Sequence, residues 1–130
     1  MLIDTNIVSE LMRREPDENV LRWAGRQSGF FLSVIAYEEL GYGLRRRNLP
    51  VKRLWLEQFI ESQCRLLPVT PAIAKNAGVM RGAFSANGVA RHPSDMLIAA
   101  TAAAHQMPLA TRNIADFIDC GIVLVNPFEP

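Results

Sequence analysis

The sequence has few cysteines, little net charge and no long apolar run. Its two cysteines, Cys64 and Cys120, are too few for a disulfide framework and fit no zinc-binding spacing, so we expect a reducing, cytoplasmic location. No apolar stretch approaches the ~18–20 residues of a membrane-spanning helix, and Asp4 interrupts the first apolar run, unlike a signal peptide. We therefore expect no membrane association. The net charge of +1 excludes a strongly basic nucleic-acid binder of the histone kind.

What the sequence does contain is enough hydrophobic material for one domain. Hydrophobic residues make up 49% of the 130 residues and charged residues 21%, which is typical of a globular domain rather than a disordered tail or a coiled coil. We find no internal repeat or linker, so we predict a single domain over residues 1–130. The cations are twelve arginines and two lysines, and arginine is the better residue for bidentate contacts with phosphate or carboxylate.

Short apolar strands alternate with helical segments. We predict strands at Met1–Ile3, Phe30–Ile35, Arg65–Val69, Leu109–Thr111 and Ile122–Val125. The predicted helices are Ile7–Arg14, Asp17–Arg26, Ala36–Arg47, Val51–Ser62, Pro71–Ser85 and Ser94–His105, with a helical turn from Asn113 to about Asp119. This alternation predicts an α/β fold with a central, mainly parallel sheet of about five short strands and helices on both faces. Ligands bind such a sheet beyond the carboxyl ends of its strands.

Acidic and polar side chains lie where this fold would bring them to one edge of the sheet. They are Asp4 after the first strand, Glu39 at the start of the third helix, Asp95 at the start of the last helix, and Asn113 and Asp116 after the fourth strand. Of the two neighbouring glutamates, Glu38 points away from the apolar face of its helix, whereas Glu39 lies on the border of that face. We therefore expect Glu39 to reach a cleft and Glu38 to be solvated.

Most of these residues also have a structural interpretation. Asp95 would suit the helix dipole, and Asn113 followed by Asp116 resembles a capping box. Asn6 could be the N-cap of the first helix. The functional interpretation is favoured for Asp4 and Asp95, because apolar residues flank them and a carboxylate in apolar surroundings is costly unless it is paired or bound to a cation.

Several carboxylates at one edge would repel one another. Two of them ~5 Å apart repel by roughly 3 kcal/mol at an effective dielectric of 20. A divalent cation would neutralise that repulsion, and an all-oxygen set of Asp and Glu suits Mg²⁺, with Mn²⁺ as a substitute. Zinc is disfavoured, because neither Cys nor His is placed to join the set. Magnesium held by few carboxylates keeps several waters, which favours phosphoryl-transfer chemistry.

Four short segments, taken together, carry a family resemblance. They are Leu2–Asn6, Leu32–Leu40, Pro93–Ala102 and Leu109–Phe117, and the sequence closes on Asn126–Phe128. In this order and spacing, essentially the whole chain resembles a PIN-domain ribonuclease, specifically the VapC-type toxin of a bacterial toxin–antitoxin pair. The resemblance implies a PIN fold, magnesium-dependent cleavage of RNA, neutralisation by a cognate antitoxin and a homodimer.

The resemblance also implies roles for individual residues. Carried over by position, the catalytic acids are Asp4, Glu39, Asp95 and Asp116, of which Asp4 and Asp95 are the metal ligands. The supporting polar residues are Asn6, Thr111 and Asn113. The sequence departs from the pattern at Ala36, where relatives often have Thr or Ser, and at Asn113, where some have Asp. The second departure leaves the fourth acidic role to Asp116.

Several cationic and aromatic side chains lie outside the acidic set. Arg112, beside the acidic edge, is a candidate to bind RNA phosphate. The run Arg45–Arg47 with Lys52 and Arg53 is either a solvated helix end or a strip that contacts phosphate or an acidic partner. His92 is expected to cap a helix or to be exposed. Three aromatic residues are interpreted as core or partner-facing: Trp23, Trp55 and Phe59. Exposed apolar residues on the helices from Ala36 to Ser62, beside an acidic cleft, should attract an amphipathic antitoxin segment that carries its own Arg or Lys.

Three alternatives stay open at this point. A haloacid-dehalogenase phosphatase also places an Asp after its first strand, but it needs a second acid two residues later, where this chain has Asn6. A catalytically silent PIN module would bind RNA or a partner without cleaving. A DNA-directed PIN nuclease would have a similar site, because a phosphodiester looks alike in RNA and DNA until the 2′-hydroxyl is read.

Overall fold

The computed structural model describes residues 1–130 as a five-stranded sheet with six α-helices and one short 3₁₀ helix. The strands are β1 (Leu2–Ile3), β2 (Phe30–Ser33), β3 (Cys64–Leu67), β4 (Leu109–Ala110) and β5 (Leu124–Val125). The helices are α1 (Thr5–Leu11), α2 (Glu18–Gly25), α3 (Val34–Arg46), α4 (Pro50–Gln63), α5 (Pro71–Ala86) and α6 (Pro93–Ala104), and the 3₁₀ helix is Ile114–Asp116. None of these helices combines the length and the apolar character that crossing a bilayer would require.

The sheet is wholly parallel, with the strand order β3-β2-β1-β4-β5. The first strand of the chain is thus the central one: Leu2 is in register with Phe31 of β2 on one side and with Leu109 of β4 on the other. Leu2 and Ile3 are completely buried, as expected for a strand covered on both faces. The predicted α/β fold with a parallel central sheet is confirmed, and residue 4 lies at the middle of its carboxyl edge.

All five strands are shorter than predicted, and β2 shows the physical reason. The apolar run Phe30–Ile35 predicts a strand throughout, but β2 ends at Ser33 and the next residue begins α3. The Ser33 hydroxyl accepts a 3.1 Å hydrogen bond from the Ile35 amide and so caps the helix. The cap and the packing of α3 outweigh the preference of the β-branched Val34 and Ile35 for a strand.

The core contains the predicted aromatic residues. A cluster of 23 buried hydrophobic residues includes Phe30 and Phe59, and the partly buried Trp23 and Trp55 pack against it. Ring centroids lie 5.7 Å apart for Trp23 and Phe30, 5.8 Å for Phe30 and Phe59, and 4.9 Å for Trp55 and Phe59. Such stacked and tilted pairs add to the stability gained from burial. Of the three aromatics interpreted as core or partner-facing, Phe59 is thus in the core and Trp23 and Trp55 pack against it.

Candidate active-site cleft

One open cleft of about 820 Å³ gathers nearly all of the predicted site residues. Its lining includes Asp4, Glu39, Asp95, Asp116, Asn6, Asn113 and Arg112. The remaining predicted residue, Thr111, is completely buried and lies beneath the cleft, where it contacts Asp4. Residues from β1, α3, α6 and the loop after β4 therefore meet at the carboxyl edge of the sheet, the position at which parallel sheets bind ligands.

Asp4 is both a helix cap and a wall of the cleft. Its side chain is only 4% exposed and forms the N-cap of α1. Oδ1 accepts a 2.8 Å hydrogen bond from the Thr5 amide and a 3.2 Å bond from the Thr5 hydroxyl. The sequence left Asn6 as a possible cap of this helix, and that interpretation is wrong because the preceding acid takes the position. A carboxylate held in this way has a fixed orientation.

A polar network joins β1 to β4 around the second oxygen of Asp4. Oδ2 accepts hydrogen bonds from the Thr111 hydroxyl at 2.8 Å and from Asn6 Nδ2 at 3.1 Å. Asn6 Oδ1 in turn accepts the Arg112 amide at 3.1 Å, and the Thr111 hydroxyl accepts the Asn113 amide at 3.0 Å. Asn6 and Thr111 thus fix Asp4 and the loop after β4 relative to each other.

The loop after β4 does not contain the capping box that the sequence suggested. Asn113 precedes the 3₁₀ helix, but no side chain makes a capping hydrogen bond there. The chain forms a single 3₁₀ turn instead of an α-helix, so the reciprocal geometry of a capping box is not available. The side chains of Asn113 and Asp116 line the cleft.

Glu39 and Asp95 face the cleft from two different helices. Glu39 is half-buried and lines the cleft, whereas its neighbour Glu38 is exposed and does not, as predicted. Asp95 is the third residue of α6, after Pro93 at the first position and His92 at the N-cap. The Nδ1 atom of His92 accepts the Ser94 amide at 3.2 Å, so the expectation that His92 caps a helix is confirmed.

Burial and neighbouring carboxylates raise the pKa of Asp95 and the pKa of Glu39. Burial, reinforced by the charges of Asp4 and Asp116, raises the pKa of Asp95 from 3.8 to about 6, against smaller opposing effects of His92 and Arg91. Burial also raises the pKa of Glu39, again reinforced by Asp4 and Asp95 and also by Glu38, with His92 opposing. Desolvation and like charge both disfavour the ionised form. The four acids therefore form a negatively charged group that no ion pair within the protein neutralises.

This group of acids is better suited to a hydrated divalent ion than to one fully coordinated by protein side chains. The single ion pair in the chain joins Arg13 to Glu10 at 3.1 Å, so no cation is paired with the four acids. No three His, Cys, Asp or Glu side chains are grouped closely enough to hold a metal ion between them. A tetrahedral zinc site with four protein ligands therefore does not fit. Magnesium needs fewer protein ligands, because it is commonly bound by one or two carboxylates and keeps several waters, and Asp4 and Asp95 would be the residues to hold it.

The cationic run near the end of α3 divides into two groups. Arg47 and Lys52 line the cleft, whereas Arg45, Arg46 and Arg53 do not. Since none of these five forms an ion pair, the two cleft residues present free positive charge to a ligand. The guanidinium of Arg112 also lines the cleft and lies over the ring of Phe128, 4.5 Å from its centroid. The cleft thus combines an acidic group with three unpaired cations.

Two further residues shape the cleft without any signal in the sequence. Glu10 is only 6% exposed and accepts hydrogen bonds from the Asp17 amide at 2.8 Å and from Arg13 at 3.1 Å, which ties α1 to the start of α2. Arg91 donates to the backbone oxygens of Asp116 and Ile118, at 2.7 and 2.9 Å. Both are ordinary charged residues in sequence, and only the tertiary contacts distinguish them.

The departure at position 36 lies away from the cleft. Ala36 is completely buried in the hydrophobic cluster and does not line the cleft. The absence of a hydroxyl at this position therefore removes no polar group from the cleft lining.

Comparisons with known proteins give one consistent likeness. Residues 1–119 match the PIN domain family. VapC ribonuclease Y4jK of Sinorhizobium fredii is 33% identical over 138 aligned residues, which cover 100% of this chain and 99% of that protein. The crystal structure of FitAcB from Neisseria gonorrhoeae superposes with a TM-score of 0.85 at 28% identity, over 99% of both chains. VapBC2 from Rickettsia felis, bound to a DNA fragment from its promoter, superposes with a TM-score of 0.81 at 25% identity, over 96% of both chains.

Proposed function

The chain belongs to the PIN domain family, and from this membership we propose that it is the toxin of a toxin–antitoxin pair, an endoribonuclease that a cognate antitoxin neutralises. Relatives of nearly the same length support the proposal, since one is a VapC ribonuclease and two are solved as the complexes FitAcB and VapBC2. We further propose that the nuclease requires Mg²⁺, which Mn²⁺ can replace, and that it works as a homodimer in the cytoplasm.

The observation that carries this proposal is the convergence of four acids on one cleft. Asp4, Glu39, Asp95 and Asp116 line the same open space, and no cation of the protein pairs with them. Asp4 and Asp95 are our candidates to hold the metal, with Glu39 and Asp116 completing the acidic wall. Bound magnesium would supply Lewis-acid stabilisation of the charge on a phosphodiester and on attacking water.

The chain's own residues would divide the remaining work between orientation and substrate binding. Four hydrogen bonds hold both oxygens of Asp4 in place, so this carboxylate needs no reorganisation when a ligand arrives. Asp95 has no ion-pair partner and keeps its oxygens available. Arg112, Arg47 and Lys52 would contact the phosphates of RNA on either side of the scissile bond.

RNA cleavage by the purified chain tests the proposal. Total RNA should be cut in the presence of Mg²⁺ or Mn²⁺ and left intact in EDTA. Asp95→Asn should abolish cleavage, and it is a cleaner variant than Asp4→Asn, which would also disturb the cap of α1. A matched pair refines the test: Glu39→Gln should lower the rate strongly, whereas Glu38→Gln, one residue away and outside the cleft, should not.

Each alternative has its own outcome in the same assay. Cleavage of DNA but not RNA would identify a DNA-directed nuclease, and tight RNA binding without cleavage would identify a silent module. Cleavage that persists undiminished in EDTA would contradict the metal requirement but not the proposed ribonuclease activity. Light scattering of the purified chain tests the homodimer, which a monomer at micromolar concentration would contradict.

A further inference from the structure

Arg91 joins the loop before α6 to the segment after β4. Its guanidinium donates hydrogen bonds to the backbone oxygens of Asp116, at 2.7 Å, and Ile118, at 2.9 Å. The same group lies over the ring of Phe84 at the end of α5, 4.1 Å from the centroid. A planar, forked donor that is stacked on one face is held in a single orientation, which a flexible ammonium is not.

These two hydrogen bonds matter because the segment after β4, residues 114–121, makes few other hydrogen bonds with the rest of the chain. Within residues 114–121 the backbone hydrogen bonds are local, such as the Phe117 amide to the Ile114 oxygen at 3.0 Å. Arg91 supplies the only hydrogen bonds between this segment and a distant part of the chain. The buried ring of Phe117 is the segment's main apolar anchor. The backbone that carries Asp116 is therefore held mainly by the buried Phe117 ring and the Arg91 guanidinium.

Arg91 contacts neither the open space of the cleft nor the carboxylates that line it. Arg91 does not line the cleft, although Asp116 does. It binds carbonyl oxygens and forms no ion pair, so the Asp116 carboxylate stays free to face the cleft. Its positive charge still reaches Asp95, where it opposes the rise in pKa. Arg91 therefore influences the acids of the cleft without lining the cleft itself.

We propose that Arg91 is a positioning residue that holds Asp116 in the acidic wall of the cleft. The inference rests on the proposed ribonuclease function, in which Asp116 is one of four acids. Because Arg91 touches the backbone of Asp116 and not the ligand space, it governs the rate of the chemical step rather than substrate affinity. Its conservative replacement by lysine keeps the charge but lacks the planar fork that stacks on the Phe84 ring while it binds both carbonyl oxygens.

Five variants of the full chain, assayed on RNA with Mg²⁺, test this assignment. Arg91→Ala should lower kcat on the order of 10- to 100-fold with little change in KM, the effect expected of a misplaced catalytic group. Arg91→Lys should show most of the same loss of kcat. Arg81→Ala is the matched control, since Arg81 is an exposed arginine that makes no hydrogen bond or ion pair, and its kcat should equal that of the wild type. Combining Arg91→Ala with Asp116→Asn should give the same kcat as Asp116→Asn alone, because the two act as a unit.

Amide hydrogen exchange provides a readout that needs no activity. In Arg91→Ala the Phe117 amide should exchange about 10-fold faster or more, as expected when charge-assisted hydrogen bonds to a turn are lost, while Arg81→Ala should match the wild type. Unchanged exchange, an unchanged kcat, full activity in Arg91→Lys or additive losses in the double variant would each overturn the assignment. A wild-type chain that cleaves no RNA would instead contradict the proposed function, and the exchange data would still decide whether Arg91 fixes the segment.

Discussion

The hydroxyl of Thr111 donates a 2.8 Å hydrogen bond to Oδ2 of Asp4, across 107 positions of the sequence. Thr111 is completely buried, and Asp4 nearly so. The bond therefore lies beneath the cleft and joins the carboxyl ends of two neighbouring strands, β1 and β4. Because of this bond, the orientation of the Asp4 carboxylate depends on the pairing of β1 with β4.

Removing the Thr111 hydroxyl should cost stability as well as activity. Thr111→Val keeps the shape but leaves a buried carboxylate oxygen with one donor fewer and the Asn113 amide without its acceptor, so the free energy of unfolding should fall by about 1–3 kcal/mol. Thr111→Ser retains the hydroxyl and should keep most of the nuclease rate. Urea unfolding and RNA cleavage measure the two effects. A Thr111→Val protein as stable and as active as the wild type would show that the bond is dispensable.

Neutralising Asp95 should stabilise the metal-free protein. The folded pKa of about 6 exceeds the ordinary value of 3.8, so between these values the folded state binds more protons than the unfolded state. The free energy of unfolding therefore falls as the pH rises from about 4 to about 6. Asp95→Asn removes this loss and should stabilise the protein in EDTA by roughly 1 kcal/mol at pH 7, with a smaller difference at pH 4.

Thermal unfolding at the two pH values measures the effect of Asp95→Asn. Glu61→Gln, which neutralises an exposed acid on α4, is the control and should leave the melting temperature nearly unchanged. A marked loss of stability in Asp95→Asn would mean that Asp95 acts chiefly as a structural residue at the start of α6.

The two groups of the cationic run should differ in their contribution to RNA binding. Arg47 lines the cleft, whereas the adjacent Arg46 lies 5.8 Å from the Tyr42 ring centroid and outside the cleft. Arg47→Ala should raise KM by about 3- to 10-fold and reduce the slope of log affinity against log salt by about 0.7, the value for one phosphate contact on a single strand. Arg46→Ala should change both much less. Equal effects of the two variants would indicate a diffuse electrostatic attraction without a defined contact.

Antitoxin binding should depend on apolar residues exposed on α3 and α4. Leu54 on α4 is 61% exposed, and Val79 on α5, at 64%, offers a matched control outside the predicted surface. Leu54→Asp should weaken the complex about 10- to 100-fold, as expected for one buried leucine, and Val79→Asp should not. Calorimetric titration with the antitoxin measures both. The prediction fails if Val79→Asp is the variant that releases the partner.

The antitoxin's own cation should act differently from its apolar anchors. An Arg or Lys entering the cleft would pair with Asp4, Glu39 or Asp95, where it contributes modestly to affinity but blocks the metal site. Replacing that cation with Ala should restore some nuclease activity with little loss of binding. A complex that cleaves RNA at the full rate before any replacement would contradict this account.

The order of elements and the positions of the acids follow from local sequence, because both depend on patterns that one segment carries by itself. An apolar run followed by an acid, as at Ile3 and Asp4, predicts a strand and its carboxyl end. Boundaries depend on competition between neighbours, and so the strand predicted through Ile35 ends at Ser33, where a hydroxyl caps the next helix.

Long-range polar contacts could not be predicted, since no local pattern reports them. Asn6 looks like a helix cap in sequence, but it joins Asp4, Thr111 and Arg112 only after β1 and β4 pair. Glu10 and Arg91 show the same limit: their partners lie 7 and 25 positions away. Their burial and orientation depend on the tertiary structure alone.

The central place of β1 in the sheet also sets when the cleft can form during synthesis. During synthesis the first strand leaves the ribosome early, but one of its two neighbours, β4, consists of Leu109–Ala110. A nascent chain that ends before these residues has neither the Thr111 hydroxyl that orients Asp4 nor the segment that carries Asp116. Sequence-distant pairing of this kind forms late and slowly in folding. Under the proposed function, a growing or prematurely terminated chain would therefore lack nuclease activity until residues 109–116 have emerged, which would give an antitoxin time to bind first.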